Sequence, residues 1–123
     1  MPLALIVDDS MLVRHTVCRY MEERGFKVES AASGDEALAF LQRAHPDIVL
    51  AASQMPGLDS DALIASLRSD PHTTRVPVVL LSGPRVESRD DQRFADFVIH
   101  KNLELEQQLR QALMVTMGVS GRA

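Results

Sequence analysis

Pro46-Asp47-Ile48-Val49-Leu50-Ala51-Ala52-Ser53-Gln54-Met55-Pro56-Gly57-Leu58-Asp59 is the stretch on which the fold turns. Ile48 to Ala52 is a continuous apolar run, entered through Pro-Asp and left through polar residues and a Met-Pro-Gly turn. That pattern suits a strand buried on both faces of a parallel sheet. Asp59 or Ser60 then caps a helix running to about Ser69, with Leu63, Ile64 and Leu67 as its apolar contacts.

The same alternation extends in both directions. Upstream, Leu3 to Val7 reads as a buried strand closed by Asp8, Asp9 and Ser10. A helix follows from Met11 to about Arg24, capped by Ser10, with Val13, Val17, Tyr20 and Met21 at helical spacing and Gly25 at its end. Phe26 to Ala31 is a second strand. Ser33-Gly34-Asp35-Glu36 opens a second helix, its acids suited to the positive end of the helix dipole and Ala37, Leu38, Leu41 and Ala44 on its inner face.

Downstream, Val76 to Leu81 is a fourth strand with Pro77 near its start, and Phe97 to Ile99 a short fifth. Between them Gly83 to Ala95 is polar and crowded with charge, so the reading there is a short or irregular fourth helix. Leu105, Leu109, Ala112, Leu113 and Met117 mark a final amphipathic helix. The expected class is α/β: a doubly wound, five-stranded parallel sheet with helices on both faces, of the flavodoxin-like type.

A chain of 123 residues, 46% hydrophobic, fits one domain over 1–123, with a core at about 3–117 and a flexible tail at 118–123. Its net charge of −4 gives no basic field for nucleic acid. The apolar N-terminus is short, has no basic region and runs straight into two acids, as a buried strand does and a signal peptide does not. No apolar stretch approaches the roughly 20 residues of a bilayer span, so a soluble cytoplasmic protein is expected. The single Cys18 cannot form an internal disulfide and falls in a helical pattern as a buried thiol. His15, His45, His72 and His100 are too scattered along the chain to suggest a metal site.

In a doubly wound sheet, ligand sites form at the carboxyl ends of the strands. There this order gathers Asp8 and Asp9 after strand one, Ala52 at the end of strand three, Ser82 after strand four and Lys101 after strand five. Taken singly, each has a plain reading: Asp8 and Asp9 as helix-capping acids, Ser82 as a turn hydroxyl, Lys101 as a solvated charge. Together with the Met55-Pro56-Gly57 turn and Asp59, the set resembles the receiver domains of bacterial two-component response regulators over about Leu3 to Met117.

The resemblance implies an acidic pair that positions Mg²⁺ at Asp8 and Asp9, a phosphoryl-binding hydroxyl at Ser82 and a charge-neutralising lysine at Lys101. It puts Ala52 where the family carries its phospho-accepting aspartate. A methyl group accepts no phosphate, and the metal site becomes weak or vestigial: no cofactor is required, and Mg²⁺ is bound weakly if at all. Ser53 is the one hydroxyl beside Ala52, but neighbouring strand residues point to opposite faces.

Further departures accompany Ala52. Lys101 is followed by Asn102 rather than the usual proline, so no proline-dependent cis peptide is expected there. Ser60 replaces a common glycine, Val98 stands where the family's aromatic switch residue does, with Phe97 facing the other side, and the Ser82-to-Lys101 segment is short. One engineered change would not produce all of these.

The implied function is phosphorelay signal transduction by a non-enzymatic pseudo-receiver. It would bind a signalling protein, a histidine kinase or a downstream effector, through the face of strands four and five and their helices. The alternative within the family is an ordinary phosphorylatable receiver carrying an acceptor Asp-to-Ala substitution. The alternatives outside it, a small phosphatase or a nucleotide-binding domain, lack a placed nucleophile and a glycine-rich phosphate loop. Kinase, output partner and oligomeric state are not encoded legibly.

Overall fold

A computed structural model describes residues 2–53, 60–82, 95–100 and 104–118. Five strands, β1 (Leu3–Val7), β2 (Lys27–Ala31), β3 (Ile48–Ala52), β4 (Val78–Ser82) and β5 (Phe97–His100), form one sheet in the order β2-β1-β3-β4-β5. Every pairing is parallel. Four helices lie in the described residues: α1 (Met11–Glu23), α2 (Gly34–Leu41), α3 (Ser60–Ser69) and α4 (Leu105–Met117). The segment expected to hold a short or irregular helix between β4 and β5 lies outside the described residues up to Ala95.

Strand parity divides the core in two. Ala4 and Ile6 of β1, Ile48 and Leu50 of β3, and Val79 and Leu81 of β4 join one buried cluster with Val17, Tyr20 and Met21 of α1 and Leu109, Ala112 and Leu113 of α4. The intervening residues, Leu5, Val7, Val49, Ala51, Val78 and Leu80, join the opposite cluster with Ala37 and Phe40 of α2 and Leu63, Ile64 and Leu67 of α3. Each of these three strands therefore buries both faces. This is why it reads as an unbroken apolar run rather than an alternating one.

The caps follow the sequence. The Ser10 hydroxyl accepts from Val13 N at 3.3 Å, and the Ser33 hydroxyl from Glu36 N at 3.2 Å. The Glu36 carboxylate reaches back to accept from Ala32 N at 2.8 Å, satisfying another donor at the helix start. Gly25, at φ 91°, takes the left-handed turn after α1 that a side chain would strain. Gly118 does the same at the end of α4, and the rest of the expected tail lies outside the described residues.

Four strand boundaries differ from the sequence reading, the first at β2, which begins at Lys27 because Phe26 N is taken by Met21 O at 3.1 Å. β4 begins at Val78 and includes Ser82, because Val76 N is taken by Thr73 O at 3.1 Å in the preceding turn. Pro77 enters the ladder only through its carbonyl, which accepts from Val49 N at 3.0 Å. β5 extends to His100. In α2, Phe40 is buried with Ala37, while Leu38, Leu41 and Ala44 sit half-buried at the margin of the same cluster.

Candidate functional site at the carboxyl edge

Strand order 2-1-3-4-5 places the topological switch between β1 and β3, and ligands of such sheets lie outside the carboxyl ends there. Val7 pairs with Ala51, and Ala52 with Leu81. One step further along the same register, Asp8 comes beside Ala52 at the edge. Ser82, paired with His100, lies across the next strand. The topology thus brings together Asp8, Asp9, Ala52 and Ser82, as the sequence implied. Lys101, leaving the end of β5, lies outside the described residues, as does the peptide to Asn102.

The members differ in exposure. Asp8 is fully buried, Ser82 and Ala52 are buried, and Asp9 is exposed. Asp8 is fixed by its surroundings: its backbone N donates to Ala31 O at 3.1 Å, and its carboxylate Oδ1 accepts from Ser10 N at 2.9 Å. Its carbonyl accepts from the Arg14 guanidinium at 2.7 Å. This buried acid is therefore held in one place by charge-assisted hydrogen bonds. Ser53, the neighbouring hydroxyl, is buried, and its N donates to Leu81 O at 3.1 Å, locking the end of β3 to β4.

The set offers a hard cation two carboxylates, one enclosed and one exposed, and from Ala52 only a methyl group. Mg²⁺ is held through carboxylates, phosphate oxygens and several waters in near-octahedral geometry. The donors therefore fit that ion only weakly.

Two positioning residues escaped the sequence reading. Gln108 on α4 donates from Nε2 to His100 O at 2.8 Å and accepts at Oε1 from His100 N at 2.9 Å, pinning the end of β5 from which Lys101 departs. Asp96 anchors the start of the same strand: its Oδ2 accepts from Val78 N at 2.8 Å and from the Arg68 guanidinium at 3.1 Å. No local pattern signals either one, because each bonds a backbone group on a different element. Val98 packs against the α2–α3 cluster and Phe97 against the α1–α4 cluster, so the aromatic ring occupies the opposite face from the position that carries the switch residue.

The histidines correct the sequence reading. His45 and His72, treated there as scattered, stand with their rings stacked at the amino edge of the sheet, the centroids 4.6 Å apart. Cys18 is half-buried, and burial pushes its thiol above the ordinary range; Glu22 adds to this and Arg14 partly offsets it. Such a thiol carries less thiolate than an exposed one and reacts more slowly.

A doubly wound sheet with a buried acid and a buried hydroxyl at its carboxyl switch point has the arrangement of a flavodoxin-like ligand-binding or signalling domain. The match to known proteins makes the assignment specific: the family model described as the response regulator receiver domain covers residues 4–114, and the chain belongs to that family.

Relatives include a gliding motility regulatory protein of Myxococcus xanthus, 38% identical over 89 residues, which are 72% of this chain and 11% of that protein. The response regulator Rre1 of Synechocystis is 38% identical over 80 residues, 64% of this chain and 35% of that protein. The chain thus spans well under half the length of either relative. Among solved structures, the chemotaxis response regulator CheY4 of Vibrio cholerae superposes with a TM-score of 0.82 at 27% identity, covering 94% of this chain and 98% of that one. The receiver domain of a Pseudomonas aeruginosa sensor histidine kinase, solved with magnesium coordinated in its active site cleft, shares the fold at 20% identity and TM-score 0.83, covering 96% and 98% of the two chains.

The protein is thus a response regulator receiver domain of two-component signalling, a class of signalling module that interacts with histidine kinases and effectors. Among the described residues no helix is long and apolar enough to cross a membrane.

Proposed function

We propose that this chain is a pseudo-receiver: a single receiver unit over about 3–117 that signals by protein–protein interaction without phosphorylation at Ala52. The observation that carries the reading is the buried methyl group of Ala52 at the carboxyl end of β3, one register step from the fixed Asp8 carboxylate. With no acyl-phosphate formed there, nothing covalent shifts the domain between two conformations. A receiver of this kind binds its partner in the state it already populates.

Asp8 and Asp9 then hold Mg²⁺ weakly, and Ser82 and Lys101 serve the structure of the edge rather than a transferred phosphoryl group. The module is non-enzymatic and acts in the cytoplasm on a histidine kinase or a downstream effector. Exposed apolar side chains support recognition by protein: Met114 and Val115 stand out of α4, and Met11 and Leu12 out of the first turn of α1 beside the acidic pair.

The test is the affinity of a partner captured from the native host, measured with and without a small-molecule phosphodonor and Mg²⁺. Equal affinity, lowered by Met114→Glu or Val115→Glu, is the expected result. Affinity that rises strongly with the phosphodonor on the unaltered chain overturns the pseudo-receiver reading.

A further inference from the structure

At the edge opposite Ala52, the loops that enter β3 and β4 bring two imidazoles and a carboxylate to one spot. His45 precedes buried Pro46 on the first loop, and Asp70 and His72 flank Pro71 on the second. The His45 and His72 rings stack with planes inclined by 17°, and His72 Nδ1 lies 3.5 Å from Asp70 Oδ1. One donor atom from each of the three residues lies within 4.8 Å of the others, and no other such trio of His, Cys, Asp or Glu occurs among the described residues.

The backbone beneath these donors is fixed while their tips are not. His72 N donates to Asp70 Oδ1 at 2.9 Å, and Thr73, buried, donates from its hydroxyl to Leu67 O at 2.7 Å. Arg68 donates to Thr74 O at 3.2 Å and Val76 O at 2.6 Å, tying the rest of that loop to α3. The facing loop is tied to β1, with Asp47 N donating to Leu3 O and Leu3 N to the Asp47 carboxylate, both at 2.7 Å. The side chains of His72 and Asp70 are 67% and 44% exposed; the His72 ring can turn without disturbing this frame, while Asp70 keeps Oδ1 on His72 N and has its second carboxylate oxygen to offer a ligand.

Bonds of about 2.0–2.2 Å to nitrogen and oxygen in a tetrahedral site put neighbouring donors about 3.4 Å apart. Reaching that spacing from 4.8 Å takes a turn of the two exposed imidazoles out of their stack. A cleft of about 440 Å³ between the loops leaves room for a fourth ligand. Imidazole with a single carboxylate suits zinc and its neighbours among the late first-row metals, and suits Mg²⁺ poorly.

We propose that His45, Asp70 and His72 form a site for one divalent transition-metal ion of the Zn²⁺ class, with the fourth position open to water or to an incoming donor. The site joins the α2–β3 and α3–β4 loops, lies at the far edge of the sheet from Asp8 and Asp9, and does not depend on what Ala52 does. Binding to the folded frame raises the thermal midpoint, because the dispersed donors of the unfolded chain hold the ion less well.

The test is calorimetric titration of the full chain with Zn²⁺ in a non-chelating buffer containing excess Mg²⁺, with the His ring protons followed by NMR. The expected result is one ion per chain, perturbation of the His45 and His72 rings, and a rise in midpoint. Loss of an outer-shell partner of a metal ligand already costs 10–100-fold, so His45→Gln or His72→Gln should each weaken binding by at least about tenfold. Asp70→Asn, which keeps an acceptor for His72 N, should weaken it too, and His15→Gln should not. All four altered residues are exposed or half-buried, and circular dichroism checks whether the variants fold. Unchanged affinity in the His45→Gln/His72→Gln double variant, no Zn²⁺ uptake at large excess, or one ion per two chains would each overturn the proposal.

Discussion

The two edges of this sheet are built from the same five strands and have opposite characters. At the carboxyl edge the described groups other than the exposed Asp9 are buried: Asp8 fully enclosed and bonded to Ser10 N, Ala52 and Ser82 covered, and the end of β5 pinned by Gln108. At the amino edge the backbone is held as firmly, by Arg68, Asp96 and Thr73, but the side chains that carry chemistry reach into solvent. On the proposed pseudo-receiver reading, the edge that carries the family's phosphoryl chemistry keeps its frame and lacks its acceptor. The edge that it leaves to structure has gathered the imidazoles. Position in a doubly wound sheet tells where a site forms, and only the residues standing there tell what it does.

The sharpest way to break the comparison is to return a carboxylate to the first edge. Ala52→Asp gives the acidic pair a third oxygen ligand and supplies a nucleophile. Mg²⁺ affinity is expected to rise, and a phosphate adduct to appear by intact mass after phosphodonor treatment, from none in the unaltered chain. No gain in either would show that Asn102, Ser60 and Val98 belong to a pocket already rebuilt for another purpose.

A core substitution should damage both edges together. Leu50 is buried in the middle of β3, and Leu50→Ala is expected to cost about 2–5 kcal/mol by urea denaturation, through lost transfer energy and the cavity left behind. Smaller effects separate the edges. Arg68→Ala removes three hydrogen bonds, two to carbonyls and one to Asp96; with the group partly exposed, the expected loss is about 1–2 kcal/mol. Gln108→Ala, which frees the end of β5, is expected to cost about 1 kcal/mol. Hydrogen exchange should then quicken at His100 and leave Val78 unchanged. Cys18 belongs to neither edge: its raised pKa leaves little thiolate, so alkylation near neutral pH should run slower in the folded chain than in urea.

Much of this was legible in the sequence because the strands are doubly buried. Unbroken apolar runs located β1 and β3 to the residue, and Ser10 and Ser33 marked two helix starts by their caps. The start of β4 was harder, since Val76 is as apolar as Val78 and only the turn bond from its amide to Thr73 O removes it from the ladder. The candidate residues of the carboxyl edge could be gathered from the sequence because they follow strand ends in order, although Lys101 lies outside the described residues. The histidine pair was not: His45 and His72 lie far apart in the chain and meet only because β3 and β4 are neighbours, a pairing that local periodicity does not encode. Gln108 and Asp96 were missed for a similar reason, as each serves a backbone group on a different element.

The most direct measurement is intact mass spectrometry of the unaltered chain after incubation with a small phosphodonor and Mg²⁺. The account predicts no change in mass, because the buried position at the end of β3 carries only the methyl of Ala52. A stoichiometric phosphate adduct on that chain would contradict it and move the chemistry to Ser53 or to one of the remaining acids.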